Sequence, residues 1–160
     1  MRQNEIVREI RTVVEEVFAT MLGTGVTIGS GRTEGATPGP TEGVVSLIGL
    51  AGTWVGTGAI SCSAATACRF SSQFLMSEYT SVSEDVLDAV GELANMIIGG
   101  FKTVLEDKVG PMGLSIPTVI FGRNFATRTL GKSEWTVIPF ESECGSFDVH
   151  ICLTPGNNPS

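Results

Sequence analysis

A chain of 160 residues has the length of one compact domain, and a composition of 42% hydrophobic and 17% charged residues excludes an intrinsically disordered protein. The formal net charge is −7, and the ten lysine and arginine residues are scattered, which argues against binding to nucleic-acid phosphates. We interpret the acidity as a contribution to solubility.

The N-terminal sequence MRQNEIVREI lacks the apolar segment of a signal peptide. The longest uncharged stretch, residues 43–68, is rich in Gly, Ser and Thr, so we interpret it as strands followed by a helix and not as a membrane span. We therefore expect a cytoplasmic protein with reduced thiols at Cys62, Cys68, Cys144 and Cys152, which form no CxxC pair. A zinc site is an alternative, but the sequence contains no pair of ligands with the spacing of a zinc finger, which argues against it.

The chain opens with an amphipathic helix over residues 4–22. Its apolar residues recur at steps of three and four, on one face: Ile6, Ile10, Val13, Val14, Val17, Phe18 and Met21. The composition then changes to Gly, Thr and Pro, which predicts a flexible loop over residues 29–43. Gly29-Ser30-Gly31 is not followed by the GK[ST] of a phosphate-binding loop, so we assign it no ligand.

Two strands, over residues 43–50 and 53–61, are predicted to form a hairpin at Ala51-Gly52. A short helix follows, with Ser61 and Ser63 as candidate N-caps. A second long helix is predicted from the capping-box sequence Ser81-x-x-Glu84, with Ser83 as another candidate cap, to about Asp107, before Gly110-Pro111 ends it.

Three further strands are predicted over residues 116–122, 133–142 and 146–154, and a disordered tail over 155–160. In the last strand the alternation predicts that His150 lies at the surface with Asp148 and Cys152. The order of elements predicts an α+β fold, a single domain over residues 1–154 with helices packed on an antiparallel-rich sheet.

The second long helix carries an unusual polar stripe. At 100° per residue, the apolar residues gather around Val90, whereas Asp88, Glu92, Asn95, Gly99 and Lys102 fall on the opposite side. Asn and Gly are poor helix formers, and an exposed helix face normally carries Ala, Lys or Glu instead. Such departures from local propensity are typical of functional sites.

This stripe and the strand after it resemble the CheC/CheX/FliY family of bacterial chemotaxis phosphatases. The pattern D-x-x-x-E-x-x-N-x-x-x-G is followed by K-T-x-L and by a P-T-V-I strand; it comprises Asp88, Glu92, Asn95, Gly99, Lys102, Thr103, Leu105, residues 117–120 and Gly122. The family's two-site members repeat the acid–amide motif in the first helix. Because no Asn follows Glu15 or Glu16 here, the chain resembles the single-site CheX branch.

The resemblance implies two long antiparallel helices on one face of the sheet and a homodimer joined through its sheets. It further implies that the protein dephosphorylates the phospho-aspartate of a CheY-type response regulator. Asn95 would position the attacking water and Glu92 would dock to the regulator's lysine, with Asp88, Gly99 and Lys102 contacting the partner. No cofactor of its own is implied, since the regulator would bring Mg²⁺.

Two alternatives stay open at the level of sequence. The same motif could serve a non-catalytic binding module that sequesters a response regulator or acts in a motor switch complex. A hydrolase acting alone is the other, but His150 is the only histidine, no G-x-S-x-G motif is present, and Arg69 is the only basic residue near Cys62 and Cys68.

Overall fold

The structure, a computed structural model, describes residues 2–34, 42–123 and 134–156. The elements in chain order are α1 (Gln3–Met21), β1 (Val26–Ile28), β2 (Arg32–Glu34), β3 (Glu42–Gly52), β4 (Trp54–Cys62), α2 (Ala64–Leu75), α3 (Glu84–Val109), β5 (Met112–Leu114), β6 (Thr118–Arg123), β7 (Trp135–Ser142) and β8 (Gly145–Pro155).

The described strands form one antiparallel sheet. Its order is β1-β7-β8-β4-β3-β5, and in addition β2 pairs with β7 and β6 pairs with β3. Both β5 and β6 lie along the same free side of β3, where residues 112–114 pair with 50–52 and residues 118–123 pair with 42–47. Between these two ladders, Ser115 N–H donates to the Gly49 carbonyl at 3.0 Å, which joins them into one continuous edge.

The two long helices pack on one face of this sheet and run antiparallel. Gly100 of α3 lies against Val13 of α1, and Lys108 further along α3 forms ion pairs with Glu5 and Glu9 near the start of α1. The core lies between these helices and the strands, and its aromatic centre is a stack of Phe18 on Phe147, with ring centroids 5.2 Å apart. The predicted α+β fold with long antiparallel helices on one face is therefore confirmed.

The short helix and the second long helix begin at serine caps. Ser63 Oγ accepts a hydrogen bond from the Thr66 N–H at 3.1 Å, and Ser83 Oγ accepts one from the Val86 N–H at 3.4 Å. Of the two predicted caps of α3 the structure thus uses Ser83, and Ser81 lies outside the helix. Gly110 ends α3 with a φ of +93°, a conformation that favours glycine.

Three short strands were not expected from the sequence. Each of β1, β2 and β5 has three residues, too few to show an alternating pattern. β2 falls inside the segment predicted as a loop over 29–43, of which residues 35–41 lie outside the described part of the chain. At the other end, β8 reaches Pro155, one residue into the predicted tail, and residues 157–160 are likewise outside it.

The prediction that His150 lies at the surface is wrong. Its side chain is 4% exposed, and its Nε2 atom lies 2.8 Å from Ser61 Oγ. The physical reason is that β8 is a central strand and the sheet face opposite the helices is also covered near it, where Trp135, Val137 and Cys152 form a second buried cluster. Alternation of residue types in β8 therefore does not separate a buried face from an exposed one.

The adjacent glycines of α3 give a test of this packing. A Cβ atom at Gly100 would lie 2.7 Å from Val13 Cγ1, whereas one at Gly99 would lie 3.6 Å from Leu114 Cδ1, an ordinary contact. Val13 is buried, and its χ1 angle in a helix is stiff. We expect Gly99→Ala to stabilise the fold by about 1 kcal/mol through helix propensity, and Gly100→Ala to destabilise it by about 1 kcal/mol because overpacking outweighs that gain.

Urea unfolding followed by circular dichroism checks this pair, since both variants add the same methyl group to neighbouring positions. Equal shifts in the free energy of unfolding would contradict the placement of α3 against α1.

Candidate functional site

One side of α3 forms an exposed polar surface, which we call the acid–amide ridge and define as Asp88, Glu92, Asn95 and Gly99. The first three are exposed and Gly99 is half-buried. The opposite side of the helix is buried, as the periodicity predicts, and contributes to the core Val86, Val90, Leu93, Ala94, Ile97, Phe101 and Leu105. Glu92 and Asn95 are i, i+3 neighbours, so their Cβ atoms are separated by about 5–6 Å and both side chains can enter one cleft.

The polar groups of Glu92 and Asn95 are available to a partner. Within residues 2–34, 42–123 and 134–156, neither side chain forms a hydrogen bond or an ion pair with another residue. The α3 backbone beneath them is fixed, because Leu93, Ala94 and Ile97 are at most 5% exposed. The ridge therefore presents an acid and an amide on a rigid support.

Lys102, also predicted to contact a partner, is differently placed. It is half-buried, and its Nζ donates to Glu106 Oε1 at 2.6 Å. This bond lowers the pKa of the Glu106 carboxyl below its usual value, and the nearby Met112 N–H has a smaller effect in the same direction. The Lys102–Glu106 ion pair therefore persists at neutral pH and weakens in acid as the carboxylate is protonated.

Between Gly91 and Gly99 the ridge is bordered by residues 112–119, which we call the flanking segment. A Cβ atom at Gly91 would lie 3.2 Å from Val119 Cγ2 and 3.6 Å from Pro117 Cγ, and one at Gly99 would lie 3.6 Å from Leu114 Cδ1. The segment therefore runs beside α3 from Gly99 back to Gly91. Asn95 lies midway between these two glycines, about 6 Å along the helix axis from each.

The glycines of α3 have different structural roles. Gly91 is buried against the flanking segment and the half-buried Gly100 packs against α1, so both permit close packing within the domain. Gly99 meets no neighbour closer than ordinary van der Waals contact, and internal packing therefore does not require it. Because glycine costs about 1 kcal/mol against alanine within a helix, its presence on the ridge needs another explanation.

The other candidate chemistries of the sequence find no support in the geometry. The four cysteines are buried and free, and burial raises the pKa of the Cys62 thiol to about 12, with a smaller contribution from nearby Cys68. Burial also raises the pKa of the Cys68 and Cys144 thiols, the opposite of what a reactive thiolate needs. Among the described residues, no group of three or more His, Cys, Asp or Glu side chains is placed to hold a metal ion.

Two further results bear on the sequence predictions. None of the described helices combines the length and apolar character needed to cross a membrane. The sequence predicts the ridge, but the P-T-V-I motif alone does not indicate that the flanking segment packs beside α3. The tight glycine at position 91 was the available signal, since a helical glycine close to an apolar face indicates close approach of another element.

Comparison with known proteins places these features in a family. Residues 44–141 match the family model described as chemotaxis phosphatase CheX. The chain is 32% identical over 114 residues to the CheY-P phosphatase CheX of Thermotoga maritima, a match that covers 71% of this chain and 73% of that protein.

Solved structures show the same fold. A chemotaxis protein CheX from Desulfovibrio desulfuricans has a TM-score of 0.82 at 26% identity, over 94% of this chain and 99% of that one. The CheX of a CheX–CheY–BeF₃–Mg²⁺ complex from Borrelia burgdorferi has a TM-score of 0.77 at 24% identity, over 95% and 97% of the two chains. On the match to the family model and the identity to the Thermotoga protein, the chain belongs to the CheX family of chemotaxis phosphatases.

Proposed function

We propose that this protein removes the phosphoryl group from the aspartate of a CheY-type response regulator. The observation that carries the proposal is the acid–amide ridge: Glu92 and Asn95 are exposed and adjacent on a helix whose other side is anchored in the core. The Thermotoga relative, a CheY-P phosphatase, and the Borrelia complex of a CheX with CheY support the choice of substrate.

The reaction is hydrolysis of an acyl phosphate. A water oxygen attacks phosphorus, the bond between phosphorus and the aspartate oxygen breaks, and inorganic phosphate and the free carboxylate are released. Phosphoryl transfer of this kind depends on in-line positioning of the nucleophile and on charge stabilisation, with little covalent help from the protein. A second protein therefore needs only to place and orient a water molecule opposite the bond that breaks.

Asn95 is suited to that role. Its carbonyl oxygen can accept a hydrogen bond from the attacking water while its NH₂ group donates to a neighbouring oxygen, so it orients the water without carrying charge. A carboxylate in the same place would be repelled by the phosphoryl oxygens. Because the helix beneath Asn95 is fixed by its buried face, docking of α3 brings the amide to one defined place in the regulator's pocket.

Glu92 is proposed to dock the regulator by pairing with a lysine at the rim of its phosphorylation site, and Asp88 extends the acidic surface one turn further. Gly99 leaves room for the regulator's loops. Lys102 contributes at the periphery, where a partner would compete with Glu106 for its ammonium group.

The Mg²⁺ of the reaction is assigned to the regulator, and no residue of this chain is proposed to bind it. We also propose a cytoplasmic homodimer that leaves the ridge uncovered.

The role of Asn95 predicts a large loss of activity without a loss of structure. Because removal of one preorganised polar group typically costs ~10²–10³ in rate, Asn95→Ala should lower kcat by that factor with little change in KM. The assay follows phosphate release from a CheY-type receiver phosphorylated with acetyl phosphate. Asp107→Ala, at an exposed position near the end of the same helix, is the matched control and should retain full activity.

Undiminished phosphate release by Asn95→Ala would refute the assignment. If the wild-type protein binds the phosphorylated receiver without accelerating phosphate release, the non-catalytic binding module is the correct interpretation instead.

The role of Glu92 predicts an effect on binding. Glu92→Gln removes the charge but keeps the shape, so KM for the phosphorylated receiver should rise about tenfold while kcat changes little. In the wild type, KM should increase as NaCl rises from about 50 to about 500 mM, because exposed charge pairs are screened. The variant should lose most of this salt dependence. Asp107→Asn removes an equivalent charge from the same helix, and a similar effect there would argue against a specific ion pair.

Gly99 predicts a conflict between stability and activity. The Gly99→Ala variant, expected above to be more stable, should nevertheless turn over the phosphorylated receiver more slowly, by about tenfold in kcat/KM, because a methyl group on the ridge obstructs the partner's approach. The measurement pairs the activity assay with urea unfolding of the same preparation. A variant that gains stability and keeps wild-type kcat/KM would show that Gly99 provides no clearance.

A further inference from the structure

Ile116, beside the ridge, is the most exposed large hydrophobic residue of the flanking segment. Its side chain is 86% exposed, whereas the residues of the segment on either side of it are held against the domain. An exposed aliphatic side chain is by itself ordinary on a protein surface. What distinguishes Ile116 is its position and the way its backbone is fixed.

The position follows from contacts on both sides of Ile116. Leu114 is next to Gly99 of α3, and Pro117 is next to Gly91 of α3. Ile116 is therefore on the stretch of chain that passes the midpoint of α3 between these two glycines. That midpoint is Asn95. The exposed isoleucine is therefore level with Asn95 along the helix axis, so a partner that covers the amide from this side also meets Ile116.

The backbone of Ile116 is constrained from both neighbours. Ser115 Oγ accepts a hydrogen bond from the Gly49 N–H at 2.8 Å and lies 3.0 Å from the Ile116 carbonyl, to which it can donate. Pro117 restricts the preceding residue to extended conformations. Because these hydrogen bonds and the contacts of Leu114 and Pro117 with α3 hold the segment on both sides of Ile116, its side chain projects from a fixed backbone. A residue fixed before binding loses little conformational entropy when it is buried by a partner.

From these observations we infer that Ile116 is a specificity-determining contact for the regulator, which inserts against an apolar patch on the rim of the regulator's phosphorylation site. This inference rests on the proposed function, because the ridge defines where the regulator sits. It divides recognition into two parts: Glu92 contributes charge on one side of Asn95, and Ile116 contributes apolar contact on the other. Ser115 acts as a positioning residue that holds Ile116 in place.

The test compares Ile116→Ser with Val55→Ser. Val55 is also an exposed aliphatic residue, 45% exposed, and on β4 it points away from the face on which Gly58 meets Ile98 of α3. Losing a buried aliphatic contact should raise KM for the phosphorylated CheY-type receiver about tenfold in Ile116→Ser, with kcat unchanged within about twofold, and Val55→Ser should match the wild type. An unchanged KM in Ile116→Ser would overturn the inference.

Two additional variants test the positioning role of Ser115. Ser115→Ala should raise KM about threefold, whereas Ser115→Thr, which keeps the hydroxyl, should have the wild-type KM. The double variant Ser115→Ala/Ile116→Ser should have the same KM as Ile116→Ser alone, because the effects of coupled residues are not additive. Additive effects would mean that Ser115 does not act through Ile116.

Direct binding separates this inference from the proposed function. The wild type and Ile116→Ser are titrated with the same receiver in BeF₃⁻ and Mg²⁺, and the variant should bind about tenfold more weakly. If the wild type binds with this dependence on Ile116 but does not accelerate phosphate release, the proposed function fails and the contact stands. If phosphate release is accelerated and neither KM nor affinity depends on Ile116, the contact fails and the function stands. No binding and no acceleration would refute both.

Discussion

The site depends on the packing of one face of α3 against the sheet, which fixes the rotation of the helix about its axis. Ile97, Ile98 and Phe101 are fully buried, and Ile98 fits against Gly58 of β4, where a Cβ atom would lie 2.5 Å from Ile98 Cδ1. Burial of each such side chain is worth about 1.5–3 kcal/mol, so a rotation that exposed them would cost several times more than any single exposed polar contact. The positions of Glu92 and Asn95 in space are therefore set by residues that never touch a partner.

The sequence was sufficient to predict the features with a clear period. Local rules predict the buried faces of α1 and α3, and tertiary packing does not override them. The same rules predict the caps at Ser63 and Ser83 and the end of α3 at Gly110. They also predict that Glu92 and Asn95 are exposed. The assignment of the fold class rested on the order of elements, and the structure agrees with it.

Other features could not be predicted because they arise from tertiary structure. β1, β2 and β5 each have three residues and exist because a longer strand, β7 or β3, offers a free edge. His150 alternates with apolar residues as an exposed residue would, yet it is buried beside Trp135, next to the cluster on the sheet face opposite the helices. The packing of Leu114 against Gly99 and of Pro117 against Gly91 joins residues on different elements, and no pattern along the chain indicates it.

A rigid ridge with an uncommitted amide suits a protein that completes another protein's active site. The regulator would supply the phosphoryl group, the metal and a lysine, so this chain has to supply only an oriented polar group and a surface that brings it to the right place. Its fold keeps those two tasks apart: buried residues and tight glycines hold the helix, while Glu92, Asn95 and Ile116 remain exposed. Substitutions that alter recognition can thus accumulate on the ridge and the flanking segment without disturbing the core.

The most direct measurement is a crystal structure of this protein bound to its CheY-type receiver in BeF₃⁻ and Mg²⁺. The account predicts that the Asn95 amide lies inside the receiver's phosphorylation site, within hydrogen-bond reach of a water molecule in line with the beryllium–oxygen bond, and that Glu92 pairs with a lysine of the receiver. A complex in which the receiver binds another surface, or in which Asn95 stays outside that pocket, would contradict it.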